Sequence, residues 1–182
     1  MNKYELLKDD AIVIAGRTLY RVRALRDFGN VRSGDNGGYL ESENNLSQDG
    51  NCWVSDDARV FEDAWVFDDA RVSGNAQVFG NAQVSWNAKV SGNAQVFGDA
   101  MIYGDARVSE NARVSGNVCV YGNAKVYGYS HVFRNALVFG NSEVYGRALV
   151  FDDALVFDNA RVYGNAQVYG DIQVSGNEEI SS

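Results

Sequence analysis

The chain has 182 residues, a formal net charge of −8, no proline, two cysteines and one histidine, His131. Its 16 basic residues form no Lys/Arg-rich run, which disfavours direct nucleic-acid binding, and no apolar run is long enough to span a membrane. Two cysteines cannot build a disulfide framework and one histidine cannot build a multi-imidazole metal site, so the expectation is a cytoplasmic protein with neither cofactor nor metal.

In chain order, Met1 to Asp10 is charged and lacks a signal-peptide core. Ala11 to Ile14 and Thr18 to Leu25 flank Ala15-Gly16-Arg17 and predict a hairpin. From Leu40 a six-residue spacing begins faintly, with Leu40, Leu46 and Cys52 placed in what becomes the Ala position of the later repeat. Residues 1–52 are assigned as an N-terminal cap with irregular first coils, and residues 53–182 as the repeat array. Such arrays need caps because end coils expose strand edges.

From Val54 an aliphatic residue recurs every six positions, always Val except at Ile102 and Ile180. A small residue, usually Ala, lies two positions earlier, and two turn residues precede that Ala. The unit is V-x-G-N-A-x, as in Val78 to Gln83. Ala, x, Val, x has the alternation of a strand. Gly and Asn tolerate positive φ and turn the chain. Three units close a triangular coil of 18 residues, so residues 54–179 give seven coils and a prism roughly 35 Å long. Period six puts the Val residues on no single helical face, which excludes a helix. The fold expected is an all-β, single-stranded triangular β-helix. At the C-terminus, Glu178 in an Ala position is expected to block the edge and Ile172 to fill the last coil.

This repeat resembles that of the hexapeptide acyltransferase superfamily, and most closely the YdcK-type hexapeptide proteins of bacteria and prophages. The segments Gly16 to Arg26 and Gly37 to Ser47 resemble the N-terminal part of such phage-encoded proteins. The resemblance implies a left-handed β-helix. It also implies, for an acyltransferase, a cleft shared between subunits and an acyl-CoA donor. One departure is that Ser, Phe or Tyr follows the aliphatic residue, where the acyltransferase pattern has Gly, Ala or an acid.

Stepping by 18 sorts the outward residues onto three faces. One carries Trp53, Arg71, Lys89, Arg107, Lys125, Glu143 and Arg161, with Ser55, Ser73, Ser91 and Ser109 beside them, and is read as solvated. A second carries Phe61, Phe79, Phe97, Phe133, Phe151 and Tyr169, broken by Ser115. A third carries Trp65, Met101, Cys119, Leu137 and Leu155, with Phe67, Tyr103, Tyr121, Phe139 and Phe157. Aromatic ladders can stiffen a sheet. Two adjacent apolar faces exceed what a soluble monomer usually exposes, so the partner expected first is a second copy of the chain, in a dimer or trimer. The interface is assigned to Phe61, Phe79, Phe97, Phe133, Phe151, Met101, Tyr103, Tyr121, Leu137, Phe139, Leu155 and Phe157.

Of 16 acidic residues in 53–182, 13 lie at corners; they are read as turn residues and end charges rather than as a cation site. The repeat consensus breaks at one corner, where Glu110, Tyr127, Tyr129, His131, Glu143, Tyr145 and Arg147 are neighbours in the 18-residue register. Tyr127, Tyr129, His131, Glu143, Tyr145 and Arg147 form the candidate partner-binding patch, since Tyr and Arg dominate binding hot spots. His131 is the one candidate general base, for the case of an acyltransferase. The uninterrupted repeat favours a non-catalytic, self-associating binding scaffold, in a phage setting one that binds and inhibits a host defence factor. The competing classes are an acyl-CoA-dependent acyltransferase and a phage structural component.

Overall fold

The computed structural model describes residues 2–182. An all-β solenoid of eight stacked coils carries three parallel sheets, one per side. The phenylalanine sheet runs from Arg59–Val60 to Gln167–Val168, the aliphatic sheet from Trp65–Val66 to Gln173–Val174, and the basic sheet from Trp53–Val54 to Glu179–Ser181. Partners lie 18 residues apart, as in Gln77 beside Gln95 and Lys89 beside Arg107. Seven coils follow the regular register, and residues 36–54 add an eighth at the N-terminal end.

The Val and Ala positions point inward and are almost all fully buried. Burying each Val side chain contributes about 1.5–3 kcal/mol. Ser130 and Ser142 replace Ala at two inward positions. Each hydroxyl is satisfied by carbonyls, Ser130 donating to Tyr127 O at 2.8 Å and Ser142 to Phe139 O at 2.8 Å.

Strand β1 (Tyr4–Ile14) and strand β2 (Arg17–Ala24) form the hairpin, and β2 pairs antiparallel with β3 (Asn36–Leu40). The turn is the two residues Ala15 and Gly16, at φ 48° and 80°, the left-handed pair that a tight hairpin needs. β1 starts seven residues earlier than the Ala11 expected from sequence, because an irregularity between Leu7 and Ala11 interrupts its alternation. One side of this hairpin closes the core through Tyr4, Val22 and Ala24, with Leu6 packed against it. The other packs Ile12, Ile14 and Leu19 against Tyr39, Phe61 and Phe79.

The first coil differs from the register expected. Leu40 pairs with Val60 and Leu46 with Val66, so both fill Val positions and not Ala positions. Cys52 does fill an Ala position, because Val54 already pairs with Val72. The corner between Leu46 and Cys52 therefore holds two more residues than the others. Lys3 fills the widened space, its Nζ donating to Asp49 O at 3.1 Å, Cys52 O at 3.2 Å and Cys52 Sγ at 3.2 Å. Burial pulls its ammonium below the ordinary lysine value. At the opposite end Glu178 accepts from Ser175 N–H at 3.0 Å, and Ile172 is 47% exposed rather than filling the last coil.

Every six residues from Asp56 to Gly176, the first corner residue has φ between 56° and 81°. The second corner residue does not, so only the first slot requires the left-handed conformation. Its carbonyl accepts from the coil before, as Gly74 O does from Asp57 N–H at 3.0 Å. Its N–H finds a side chain where the preceding coil carries an acid in that slot. Gly74 donates to Asp56 Oδ2 at 2.8 Å, Gly80 to Glu62 Oε2 at 2.8 Å and Gly128 to Glu110 Oε2 at 3.0 Å. The corner acids thus cap backbone donors one coil on, which explains their concentration there.

Glu110 holds a strained φ of 61° and compensates with that hydrogen bond. Glu110→Ala keeps the strain and loses the bond, so denaturant unfolding is expected to show a loss of about 1 kcal/mol. Glu110→Gly loses the bond but relieves the strain, and its stability is expected to stay within about 0.5 kcal/mol of the parent. Equal effects of the two changes would contradict this account of the corner.

Candidate functional site

The register brings the patch residues together at the corner between the basic and phenylalanine sheets. Tyr127 and Tyr145 stack with ring centroids 5.0 Å apart, and Tyr163 continues the stack at 5.1 Å. Glu143 accepts from Lys125 Nζ at 2.8 Å and from the Tyr127 hydroxyl at 3.3 Å. Burial, then the Glu143 charge, push the Tyr127 phenol up to about 12. The Lys125 hydrogen bond holds Glu143 below the usual carboxylate range. Tyr129 and Arg147 stand out from the corner, Tyr129 at 62% exposure. Both occupy the unstrained second corner slot, so their departure from Asn costs no backbone energy.

His131 lies beyond the corner on the phenylalanine sheet, between Arg113 and Leu149. Burial and the Arg113 charge lower its pKa. No carboxylate orients its ring among the described residues.

The aromatic residues on the other faces form tight ladders. Phe61, Phe79 and Phe97 stack at 5.0 and 4.9 Å, and Phe133 and Phe151 at 4.8 Å. Tyr103, Tyr121, Phe139 and Phe157 form a four-membered stack. Ring faces are thus occupied within the chain and ring edges point outward. Phe61 is buried under the hairpin and Phe79 packs against the same cluster, so the free part of the ladder starts at Phe97. On the aliphatic sheet Trp65 and Met101 are 42% and 41% exposed, with Leu137 and Leu155 half-buried in the same row.

A further feature was not legible as a motif. The loop Gly29–Asn36 overhangs the basic sheet and encloses a cleft of about 890 Å³. Arg71, Lys89 and Arg107 line it as consecutive rungs. These cations are 18 residues apart in sequence but about 4.8 Å apart in space. In sequence they appear only at 18-residue steps, never as a basic run. Corner acids face no comparable assembly: no group of three carboxylate, His or Cys side chains is placed to hold a metal among the described residues.

Eight coils of two-residue parallel strands define a β-solenoid repeat protein. A family model described as the YdcK beta solenoid repeat matches residues 70–86, 94–110, 100–116 and 154–170. At those residues the solenoid carries YdcK-type repeats. No curated protein matches it.

The pKa of His131 has a consequence for stability. Because its folded value lies below the unfolded one, the unfolded chain binds more protons between the two, and stability falls as pH drops through the usual imidazole range. In His131→Leu, which matches Leu149 on the next rung, the difference in unfolding stability between about pH 5 and about pH 7 should shrink. An unchanged difference would show that His131 is not its source.

Proposed function

We propose that this chain is a non-catalytic, self-associating β-solenoid that serves as a protein-binding scaffold. The observation that carries this reading is the row Trp65, Met101, Leu137 and Leu155 on the aliphatic sheet, which none of the described residues covers. The row is flat and apolar from Met101 through Cys119 and Leu137 to Leu155, with Gln83 as the polar rung before it, and a flat row suits a second flat sheet. Every coil after Trp53 keeps 18 residues, so no protruding loop obstructs such contact. The ladder Tyr103, Tyr121, Phe139 and Phe157 runs beside the row and widens the apolar surface. Its outward ring edges give a partner contact area at little conformational cost, because stacking already fixes the rings. The resemblance to phage-encoded solenoids adds a host protein as a second class of partner, and the Tyr127–Arg147 corner is the surface assigned to it.

Light scattering at tens of micromolar is expected to give a dimer or trimer, and Met101→Glu with Leu137→Glu to give a monomer of unchanged circular dichroism. A parent protein that is monomeric under these conditions overturns self-association. The corner is tested separately by Tyr129→Asn with Arg147→Asn. Asn at both positions would join the side-chain amide ladder in which Asn93 Nδ2 donates to Asn111 Oδ1 at 3.1 Å. Thermal stability should therefore be unchanged or higher, while partner capture is lost. Partner capture that survives the double change moves the surface elsewhere.

A further inference from the structure

We propose that the cleft between the Gly29–Asn36 loop and the basic sheet, with Trp86 at its rim, binds an acidic oligosaccharide. Trp86 occupies the corner slot that demands positive φ. It holds φ 57° there and is 64% exposed. A bulky side chain in that conformation is a true outlier, and it is held there although glycine fills the same slot in the next two coils, at Gly104 and Gly122. Neither interior packing nor an ion pair explains it. Strain retained at an exposed aromatic residue points to use of its ring.

The surroundings supply the rest of a site. Asp69 and Asn87 line both the main cleft and a shallow recess of about 320 Å³ that Trp86 and Asp68 also line. The two spaces therefore share a wall. Moving from Trp86 into the cleft, a ligand meets the row Asp69, Asn87 and Asp105, and then the row Arg71, Lys89 and Arg107. None of these three cations lies within ion-pair distance of a carboxylate among the described residues. Three like charges stacked at strand spacing repel one another, in a chain whose net charge is −8. Arg71 is also held against the loop, where a Cβ on Gly29 would come within 2.9 Å of its Nη2.

The order of these groups selects the ligand. It must present an apolar face to Trp86, hydrogen-bond donors to the Asp69, Asn87 and Asp105 oxygens, and an anion to the cations. A uronic acid residue carries a C–H face, hydroxyls and a carboxylate together. A DNA strand also offers a stacking face and an anion, but has no hydroxyls between them, and its phosphates would pass the two aspartates. Trp53 lines the cleft but is buried against Phe28, so it offers no second platform for consecutive bases, as single-strand binders use.

The site shares no residue with the aliphatic row or the Tyr127–Arg147 corner, so its test is independent of the scaffold reading. Isothermal titration of the full chain with a galacturonate hexamer is expected to show saturable binding. A neutral glucan hexamer and oligothymidylate should bind at least tenfold more weakly. Trp86→Gly should melt at the same or a higher temperature, because glycine suits the corner, yet lose at least tenfold in affinity. Lys89→Gln with Arg107→Gln should lose affinity and flatten its dependence on salt. The proposal fails if the uronate does not bind, if either control binds as well, or if Trp86→Gly binds like the parent.

Discussion

The structure depends on one constraint, that each coil must leave every corner in the same left-handed conformation so that its backbone meets the next coil in register. Six residues allow one two-residue strand and one corner, and the corner's carbonyl and N–H both face neighbouring coils. Gly74 shows the complete arrangement, accepting from Asp57 N–H and donating to the Asp56 carboxylate. Were a corner to relax, the strand after it would rotate, and its Val would leave the core. Sequence freedom is thereby confined to outward positions, and among corner residues to the second slot and to those first-slot residues whose side chains compensate for strain.

That constraint decides what could be read from the sequence. The six-residue period, the inward Val and Ala, the three faces and the corner patch were all legible, because each follows from counting in sixes and eighteens. The roles of the two corner residues were not separable, since Gly and Asn both tolerate positive φ. The structure divides them: Gly74 turns the chain, whereas Asn81 and its equivalents donate side-chain hydrogen bonds to the next rung, Asn81 Nδ2 to Asp99 Oδ1 at 2.8 Å. The first coil was misplaced by two residues, because spacing alone cannot tell which of two alternating apolar positions Leu40 and Leu46 fill. The widened corner at 47–51 resolves that choice, and nothing short of the Lys3 contacts signals it.

The acidic balance also changes meaning. Net charge and the absence of basic runs argue against direct nucleic-acid binding but do not show how charge is placed. The solenoid sorts charge by slot. Carboxylates gather at corners, where they hold backbone N–H groups, and cations gather on one sheet. Lys125 and Arg161 on that sheet are neutralised by Glu143 and Glu179, while Arg71, Lys89 and Arg107 towards the loop are not. A gradient along a single face results, from paired charges at the C-terminal half to unpaired ones beneath the overhang.

Function on such a scaffold is written in rows rather than in motifs. A ladder repeats one side chain at strand spacing, so it meets a flat or periodic partner with many equivalent contacts. Discrete recognition needs a break in that periodicity. The breaks here are few: the overhanging loop, Trp86, and the pair Tyr129 and Arg147. Their energetic positions differ. Tyr129 and Arg147 occupy the second corner slot, which carries no backbone strain, so drift could produce them at the cost of the side-chain ladder bonds alone. Trp86 occupies the first slot, where the left-handed backbone costs a non-glycine residue about 1–2 kcal/mol. Asp68 returns part of that through its bond from Trp86 N–H at 3.2 Å, but glycine there would donate the same bond without strain. Selection for folding alone therefore weighs more heavily against Trp86 than against Tyr129, which makes the strained residue the stronger mark of a binding role.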